Sequence, residues 1–318
     1  MMTRSLTKLD AACWLRAHDG FTIVTHRRPD GDTLGSAAAL CRGLRKLGKT
    51  AHVLENHEVT PRYAPLLNGL TKAEVEPGDI LVAVDVAAAK LLPEYAAKFA
   101  DKIDLRIDHH GNGGPFAAWE LVEPQAAACA EIVYDLLQLM EIPLDKDMAE
   151  AIYTAVSTDT GCFRYANTTA RSYRAAAACA EAGGDLYAIN QAIFDTNSLT
   201  KLKVQGWIAE NTRFFCEGTV AVCALPKAAE ISIGVTEDDM DGISGFPRSI
   251  EGVKISVLLR ETADDAVKAS VRAVPGYDAA AVCALFGGGG HKGAAGCTLR
   301  MPLEEAAEVI AKAMPQMD

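Results

Sequence analysis

The stretch THRRPDGDTLGSAAAL, residues 25–40, follows directly on the apolar run Phe21–Val24. A buried strand here ends in a histidine, a proline and two aspartates that bracket a glycine. Carboxylates without partners are costly to bury, so packing does not explain them. Pro-Asp-Gly-Asp is, however, a favourable surface turn. Taken alone, the stretch fits either a plain turn or a functional site.

The composition describes a globular protein of the cytoplasm. A chain of 318 residues is long enough for two domains, and 49% apolar with 23% charged residues is ordinary. No apolar run approaches the roughly 18 residues that span a bilayer, and charged residues near the N-terminus argue against a secretory signal. Nine cysteines without a CxxC pair favour reduced thiols. Five of them are predicted to fill the core: Cys13, Cys41, Cys129, Cys179 and Cys283.

The net charge of −11 bears on possible partners. A protein that binds long nucleic acid normally carries a basic face, because its cations displace the counterions of the phosphates. Long duplex DNA is therefore not expected as a substrate. Small anionic ligands remain compatible with this charge if cations are recruited locally.

The first half of the chain alternates apolar strands with amphipathic helices. The predicted strands are residues 21–25, 51–55, 80–86 and 105–108, and helical stretches between them include residues 35–47 and 90–100. This alternation is typical of an α/β fold with a mainly parallel sheet and helices on both faces. Residues 126–158 and 170–182 then read as helical, with a break at EIPLDKD.

A second domain is predicted after residue 195. Residues 198–215 have helical periodicity, and strands follow at residues 219–225, 253–261 and 266–274, the last two as a hairpin around residues 262–265. A helix over residues 278–286, a glycine run and a helix from Leu303 complete it. We therefore predict a catalytic domain (1–195), a helical linker (196–215) and a smaller α/β domain with a mixed sheet (216–318).

Acidic residues and histidines recur where the predicted elements end. Asp85 closes one strand, Asp108-His109-His110 closes another, and Asp159 ends a helix. Because the carboxyl ends of parallel strands meet at one edge of a sheet, these groups are expected to converge with His26, Asp30 and Asp32. Each of these groups can be explained by structure alone, as a turn residue, an ion pair, a loop pair or a helix end. A functional site would be absent only if all of these separate explanations were true at once.

A pair of divalent cations explains the cluster better than its acidic residues alone. Four carboxylates in one place repel each other, and two divalent cations supply the four positive charges that balance them. Carboxylate and imidazole ligands without thiolate fit Mn²⁺ best and leave Zn²⁺, Co²⁺ and Fe²⁺ open. Two such cations about 3.5–4 Å apart can stabilise an in-line phosphoryl displacement.

These residues also carry a family resemblance. The triplet Asp108-His109-His110, with THRRPDGDTLGS, the strand-end Asp85 and STDTGCFRY, resembles the motif series of the DHH phosphoesterase superfamily in order and spacing. The later GGGGHKGAAG, residues 287–296, is similar to the signature of the DHH-associated C-terminal domain. Within the superfamily the chain most resembles the short-oligoribonucleotide nucleases (nanoRNases) that also dephosphorylate 3′-phosphoadenosine 5′-phosphate.

The resemblance implies a role for each group in the cluster. One metal ion would be held by His26, Asp30 and Asp85, and the other by Asp32, Asp85, His109 and Asp159. The residues expected to take part in catalysis are His110, Asp85 and Asp159. His110 would face the substrate phosphate, and Asp108 would orient an imidazole. The chain departs from the family after Asp85, where Val86 stands in place of a small hydroxyl residue, and this bears on substrate preference.

The glycine run in the second domain suggests a nucleotide-binding element. Glycines let backbone N–H groups approach a ligand closely and adopt positive φ, and His291 and Lys292 offer a donor and a positive charge. A flexible turn is the alternative explanation. The residues expected to bind substrate are Arg164, Ser270, Arg272, Gly288, Gly289, Gly290 and His291.

The expected activity is hydrolysis of short oligoribonucleotides or linear dinucleotides to mononucleotides, and of 3′-phosphoadenosine 5′-phosphate to AMP. The expected partners are therefore short single-stranded RNA, dinucleotides and a 3′,5′-bisphosphonucleoside, with no membrane. The resemblance further implies a homodimer, in which a second copy of the chain is the partner. The alternatives are a cyclic-dinucleotide phosphodiesterase, a manganese inorganic pyrophosphatase and a non-catalytic nucleotide sensor. A sensor should have lost metal ligands, whereas this chain keeps all that the pattern requires.

Overall fold

The structure is a computed structural model that describes residues 3–111, 113–240, 242–262 and 266–314. The chain divides into two compact units, residues 1–196 and residues 197–318. Each unit has a β-sheet and hydrophobic clusters of its own. The α/β class predicted from the sequence is confirmed.

The first unit alternates strands and helices. Its strands are β1 (Arg4–Ser5), β2 (Phe21–Val24), β3 (Ala51–Leu54), β4 (Thr71–Lys72), β5 (Ile80–Val84), β6 (Leu105–Asp108) and β7 (Trp119–Val122). Its α-helices are α1 (Lys8–Ala17), α2 (Gly31–Lys46), α3 (Cys129–Leu139), α4 (Lys146–Asp159), α5 (Ala170–Glu181) and α6 (Leu186–Asn190). Shorter 3₁₀ segments are Ala64–Leu67, Ala89–Leu91 and Glu94–Lys102, and Gln191–Asp195 forms a π-helical turn.

All seven strands of this unit run parallel, in the order β1-β7-β6-β5-β2-β3-β4. The parallel sheet is therefore confirmed, and four of its strands lie where the apolar runs indicate. β1, β4 and β7 were not predicted. β1 and β4 have two residues each and are too short to show a pattern, and β7 has the sequence WELV, in which Glu120 interrupts the apolar run.

Neighbouring residues of one strand pack on opposite faces of this sheet. Ile23 and Val82 belong to the large cluster under the α-helices, whereas Val24 and Ala83 belong to the cluster on the other face. That second face is covered in part by the 3₁₀ segment Glu94–Lys102, which contributes Ala96. Both faces are buried, as expected of a parallel sheet.

The predicted α-helix over residues 90–100 is wrong. Two 3₁₀ segments occupy this region, and Pro93 lies between them. Proline restricts the residue before it to extended conformations, and Leu92 has φ −58° and ψ 144°. The amphipathic pattern correctly indicated a covering layer, but the proline prevents a continuous helix.

Helix α2 begins at Gly31, four residues earlier than predicted, because Asp30 caps its first turn. Two glycines then allow the helix to approach α4 closely. A Cβ atom at Gly31 would lie 2.4 Å from Oγ1 of Thr158, and one at Gly35 would lie 2.3 Å from the carbonyl oxygen of Ala151. The missing side chains let the start of α2 lie directly against the end of α4.

The second unit contains a mixed sheet of six strands. Its strands are β8 (Arg213–Phe215), β9 (Val220–Leu225), β10 (Ile255–Glu261), β11 (Val267–Ala273), β12 (Gly289–His291) and β13 (Ala294–Leu299). Its α-helices are α7 (Leu199–Asn211), α8 (Lys227–Ile233), α9 (Ala279–Ala284) and α10 (Leu303–Ala313). Among the described residues the order is β12-β13-β11-β10-β9-β8; the β9–β10 pair is parallel and the other pairs are antiparallel.

Several predictions for the second unit are confirmed and others are corrected. The β10–β11 hairpin forms as predicted, although its turn residues 263–265 lie outside the described residues. The helix predicted over 198–215 ends at Asn211, because residues 213–215 join the sheet as β8. The glycine run is not a free loop, since Gly289–His291 form the edge strand β12.

The cysteines are free, and four of the five predicted core cysteines are buried. Cys13 is exposed on α1, so its prediction as core filler is wrong. The helical face that packs inward carries Ala11, Ala12 and Leu15 instead. In the described part of the chain, none of the helices combines the length and the apolar character that crossing a bilayer requires.

Candidate active site

The carboxyl ends of three central strands and the ends of two helices meet at one edge of the parallel sheet. His26 follows β2, Asp85 follows β5, and His109 follows β6. The close packing of α2 against α4 adds carboxylates from the start of one helix and the end of the other, Asp32 and Asp159. The polar residues are therefore brought together by topology, as expected of an open parallel sheet.

An outer group of three side chains lies at the rim of this cluster. The Nε2 atom of His26 is 3.5 Å from Oδ1 of Asp30 and 3.7 Å from Oδ2 of Asp85. Asp30 is about half exposed, whereas Asp85 is almost completely buried. The ligand atoms of these three residues all lie within 4.8 Å of one another, which allows them to share one metal ion.

An inner group lies deeper and centres on His109. Its Nε2 atom is 3.4 Å from Oδ1 of Asp85, 3.4 Å from Oδ2 of Asp159 and 3.8 Å from Oδ2 of Asp32. The ligand atoms of Asp32, His109 and Asp159 again lie within 4.8 Å of one another. Asp85 touches both groups through its two oxygens, so the six residues named as metal ligands from the sequence are gathered in one place.

A cavity of about 250 Å³ opens beside the two groups. Its lining residues are His26, Asp30, Asp85, Ala87, Leu91, His110 and Asp159. The cavity is therefore lined mostly by acidic and imidazole side chains, and it offers room for a small polar group next to the predicted ligands.

Backbone N–H groups fix two of the aspartates. Oδ1 of Asp30 accepts hydrogen bonds from the backbone of Asp32 and Thr33, which makes Asp30 the N-cap of α2. Asp32, which is fully buried, accepts from the backbone N–H groups of Cys129 at 2.6 Å and Ala130 at 3.0 Å. Both carboxylates therefore accept hydrogen bonds at helix N-termini, but this capping does not explain why they lie close to histidines.

Asp85 adopts a backbone conformation that is unusual for a residue with a side chain. Its φ angle is 56°, in the left-handed region. Such a conformation costs of order 1–3 kcal/mol and persists where the surroundings impose it, often at functional sites. The strained turn after β5 places both oxygens of Asp85 between His26 and His109.

The electrostatics of the cluster call for added positive charge. Burial, with the neighbouring Asp85 and Asp159, raises the pKa of Asp32 well above its usual value. Burial and nearby carboxylates raise the pKa of Asp159 to about 7. Burial lowers the pKa of His109, but the surrounding aspartates outweigh it and raise that pKa to about 10. The balance for His26 is similar, with a pKa of about 11.

The donor set fits divalent cations. Oδ1 of Asp85 and Nε2 of His109 are buried and form no hydrogen bond in the described structure, although they lie 3.4 Å apart. Buried polar atoms without partners are rare and costly. A shared cation would satisfy both atoms and would replace the protons that the clustered carboxylates otherwise attract.

Asp108 and His110 form a separate pair beside the inner group. The Nδ1 atom of His110 lies 2.8 Å from Oδ1 of Asp108, which also accepts hydrogen bonds from the backbone of His109 and His110. The other oxygen of Asp108 is held by the buried guanidinium of Arg106. Since its oxygens are already engaged, Asp108 suits the orienting role predicted for it better than that of a metal ligand.

Arg164 does not line the cavity among the residues that the structure describes. Its Nε donates to the carbonyl oxygen of Gly161 at 2.6 Å. Gly161, Cys162 and Phe163 before it all have positive φ, between 56° and 61°, so this turn after α4 is strained. Arg164 thus lies near the end of α4, and none of its described hydrogen bonds goes to a residue of the cluster.

The second unit brings most of its predicted residues onto one face of the sheet. Ser270 lies opposite Gly296, which lies opposite Gly289, and Arg272 lies opposite Ala294, which lies opposite His291. Directly opposed residues point to the same face, and the intervening residues of β11 are buried. Ser270, Arg272 and His291 therefore share the outer face of β11 and β12.

Two of the predicted binding glycines face protein rather than solvent. A Cβ atom at Gly288 would lie 2.3 Å from the carbonyl oxygen of Gly296, and one at Gly290 would lie 2.6 Å from Cα of Ala295. A Cβ atom at Gly289 would meet no heavy atom within 4 Å. Close strand packing therefore explains two of the glycines, and only Gly289 has open space.

Comparison with known proteins identifies the family. Residues 20–156 match the family described as "DHH family, N-terminal domain", and residues 217–316 match the "DHHA1 domain". The chain is 32% identical to "Bifunctional oligoribonuclease and PAP phosphatase NrnA" of Thermus thermophilus, over 94% of this chain and 91% of that protein. The chain belongs to the DHH family of phosphoesterases.

A further relative and two solved structures resemble this chain over nearly its whole length. A protein of the same name from Bacillus subtilis is 26% identical over 91% of this chain and 93% of its own. Among solved structures, an exopolyphosphatase-related protein from Bacteroides fragilis has a TM-score of 0.85 at 26% identity, covering 97% of this chain and 96% of that one. Exonuclease RecJ bound to manganese shares the fold, with a TM-score of 0.50 at 15% identity and coverage of 96% and 93%.

Arg106 is the site residue that sequence reasoning missed. It is 1% exposed, and besides Asp108 it donates to the carbonyl oxygen of Ala87 at 3.1 Å. Its guanidinium also lies over the ring of Phe116. The available signal was an arginine two residues before Asp108 in the strand LRID, because side chains two residues apart lie on the same face of a strand and a buried charge needs a partner close by.

Proposed function

We propose that this chain is a two-metal phosphoesterase that hydrolyses short oligoribonucleotides and linear dinucleotides to mononucleotides, and 3′-phosphoadenosine 5′-phosphate to AMP. The observation that carries the proposal is the convergence of four aspartates and two histidines into two groups that share Asp85. The substrate class is supported by relatives named as oligoribonucleases and PAP phosphatases that align over nearly the whole chain.

Two divalent cations, with Mn²⁺ as the best fit, would occupy the two groups. The first would be held by His26, Asp30 and Asp85, and the second by Asp32, Asp85, His109 and Asp159. When bound, such a pair activates a water and stabilises the charge that develops on the transferring phosphoryl group. A manganese-bound relative of the same fold supports the choice of metal.

His110 acts on the substrate rather than on the metals in this proposal. It lines the cavity, and its Nδ1 is engaged by Asp108 at 2.8 Å. The proton that His110 would pass to the leaving oxygen therefore sits on Nε2. Burial lowers the pKa of His110, but Asp108 and Asp85 outweigh it and raise that pKa, which favours the protonated form that a general acid requires. Arg106 donates hydrogen bonds to the other oxygen of Asp108 and holds it in place.

The second unit would bind the rest of the nucleotide. Ser270, Arg272 and His291 offer hydroxyl, guanidinium and imidazole groups on one face of the sheet. Arginine suits phosphate because its planar fork donates two hydrogen bonds at once. The exposed edge at Gly289, with Gly288 and Gly290 shaping it, would let backbone groups approach the ligand. Arg164 is assigned to substrate as well.

This assignment also divides the chain by task. Residues 1–195 would carry the hydrolytic chemistry, residues 196–215 would connect, and residues 216–318 would bind substrate. The matches of residues 20–156 and 217–316 to two different family domains support this division. We further propose that the protein works in the cytoplasm as a homodimer.

A substrate panel tests the proposal directly. The purified chain is incubated with Mn²⁺ and, separately, with a dinucleotide, a pentanucleotide, 3′-phosphoadenosine 5′-phosphate, cyclic di-AMP and pyrophosphate, and product lengths are followed over time. We expect the dinucleotide to yield mononucleotides and 3′-phosphoadenosine 5′-phosphate to yield AMP. The Asp85→Ala variant is the control for contaminating nucleases.

Each alternative function has its own outcome in this panel. Preferential hydrolysis of pyrophosphate would indicate a pyrophosphatase, and preferential hydrolysis of cyclic di-AMP would indicate a cyclic-dinucleotide phosphodiesterase. A dinucleotide that binds tightly but stays intact for hours would indicate a sensor. Any of these three results overturns the proposed substrate class.

A further inference from the structure

A short buried segment, residues 126–130, gives three backbone groups to the inner group of the cluster. The carbonyl oxygen of Ala126 lies 3.1 Å from Nδ1 of His109. The N–H groups of Cys129 and Ala130 donate to the two oxygens of Asp32 at 2.6 and 3.0 Å. Asp32 and His109 are predicted ligands of the same metal ion, so the position of this segment sets the positions of both ligands.

The contact with Ala126 also sets which nitrogen of His109 carries a proton. A carbonyl oxygen can only accept a hydrogen bond, so Nδ1 of His109 must be the donor. In the neutral imidazole the lone pair then belongs to Nε2, the atom that faces Asp85 and Asp159 at 3.4 Å each. A histidine that binds metal through one nitrogen typically depends on such a contact at the other.

The buried side chain of Glu131 holds residues 126–130 in place. Glu131, fully buried in the first turn of α3, accepts a hydrogen bond from the N–H of Ala127 at 3.0 Å through Oε2. Its Oε1 accepts from the hydroxyl of Ser172 on α5 at 2.5 Å. The guanidinium of Arg171 lies 3.8 Å away. A buried carboxylate is costly, so a group retained here is expected to hold something specific.

We propose that Glu131 is a positioning residue for the metal ion of the inner group, acting through the backbone of residues 126–130. The inference rests on the proposed function for the existence of that ion. Glu131 touches neither Asp32 nor His109 in the described structure, and it reaches them through the segment that contacts both.

The outer group provides an internal comparison. None of the hydrogen bonds described for residues 126–130 goes to His26, Asp30 or Asp85. A loosened segment should therefore weaken the ion held by Asp32, His109 and Asp159 and spare the other. Loss of general stability, in contrast, would affect both ions alike.

Binding of Mn²⁺ measured without substrate tests the inference. Titrations followed by calorimetry and by the electron paramagnetic resonance of free Mn²⁺ give the affinity of each of the two sites. We expect Glu131→Ala to weaken one site roughly 10–100-fold, the usual effect of removing a group that supports a metal ligand, and to leave the other unchanged. Glu131→Gln keeps an oxygen that can accept from Ala127, so it should recover most of the affinity.

Asp135 provides the matched control. It lies one turn further along α3 and binds Lys8 and Arg171 at 2.7 Å each, within the same ion-pair network. It forms no described contact with residues 126–130. Asp135→Ala should therefore bind both Mn²⁺ ions as the parent protein does. If Glu131→Ala does not fold, Glu131→Asp replaces it, because the shorter carboxylate keeps its charge but cannot reach Ala127.

The inference is overturned if the folded Glu131→Ala or Glu131→Asp variant binds two ions like the parent. It is also overturned if both sites weaken together, or if Asp135→Ala weakens the same single site. A parent protein that binds two ions but hydrolyses no nucleotide would refute the proposed function and leave this inference intact. A parent protein that binds no Mn²⁺ would refute both.

Discussion

The strand-end cluster of the first unit and the open sheet face of the second unit are built in opposite ways. Asp32 and Asp85 are almost completely buried, and backbone N–H groups or strained turns fix them. Ser270 and Arg272 instead project from a strand whose outer face is partly exposed. Chemistry on a phosphate needs groups held within fractions of an ångström, whereas recognition tolerates side chains that adjust to the ligand.

The difference predicts how each region responds to mutation. Changes in the cluster should lower kcat, because its groups are proposed to act on the reacting phosphate. Changes on the sheet face should raise KM, because its groups are proposed to bind parts of the substrate that do not react.

Replacing Asp85 by alanine should abolish hydrolysis. Its two oxygens contact both groups, at 3.7 Å from His26 and 3.4 Å from His109, so neither ion keeps its full set of ligands. Elemental analysis of the purified variant should find fewer than two Mn²⁺ ions per chain, with circular dichroism unchanged. A variant that keeps both ions and normal kcat would remove Asp85 from the site.

Replacing His110 by alanine should lower kcat by about 10²–10⁴-fold, the usual contribution of a general acid. Since Asp108 holds Nδ1, the loss should leave metal content and KM nearly unchanged. Steady-state kinetics on a dinucleotide, with metal analysis of the same preparation, checks this. A fall in metal content would show instead that His110 is a ligand.

Replacing Arg272 by alanine should raise KM about tenfold, equivalent to the loss of one phosphate contact of about 1.4 kcal/mol, and leave kcat unchanged. Arg272→Lys is the control, because it keeps the charge but loses the planar fork. The comparison between the two regions would fail if Arg272→Ala lowered kcat at constant KM.

Substitutions of the two glycines of β12 should give the smallest changes in activity. Comparing the two substitutions distinguishes a role in strand packing from a role in substrate binding. Gly290→Ala should lower the free energy of unfolding by about 1–3 kcal/mol, because the new methyl group meets Ala295 at a φ of 147°. Gly289→Ala has open space, so its melting temperature should stay unchanged while KM rises by less than about tenfold. Thermal denaturation and kinetics on the pair distinguish the two effects.

The parallel sheet and the cluster of aspartates and histidines could be predicted because their signals are local. Short apolar runs ended in Asp or His, and one rule of topology brought those ends together. Asp30 and Asp32 were the ambiguous pair. In the structure both carboxylates accept hydrogen bonds at helix N-termini and also lie near histidines, so the structural role is observed and the role as metal ligands stays a prediction.

The features that the sequence did not predict depend on contacts between segments that are distant along the chain. Nothing in the sequence near Gly288 indicates that its missing side chain makes room for Gly296. Likewise, the support of Asp108 by Arg106 and of residues 126–130 by Glu131 becomes visible only when the strands and helices are packed. Pro93 was visible, yet its effect on an amphipathic run was underestimated.

Crystals grown with Mn²⁺ and measured at the manganese absorption edge would show whether the cluster holds two metal ions. We expect two anomalous peaks per chain, one beside His26, Asp30 and Asp85 and one beside Asp32, His109 and Asp159. Peaks elsewhere, or these side chains turned away from any ion, would contradict the account of this protein as a two-metal phosphoesterase.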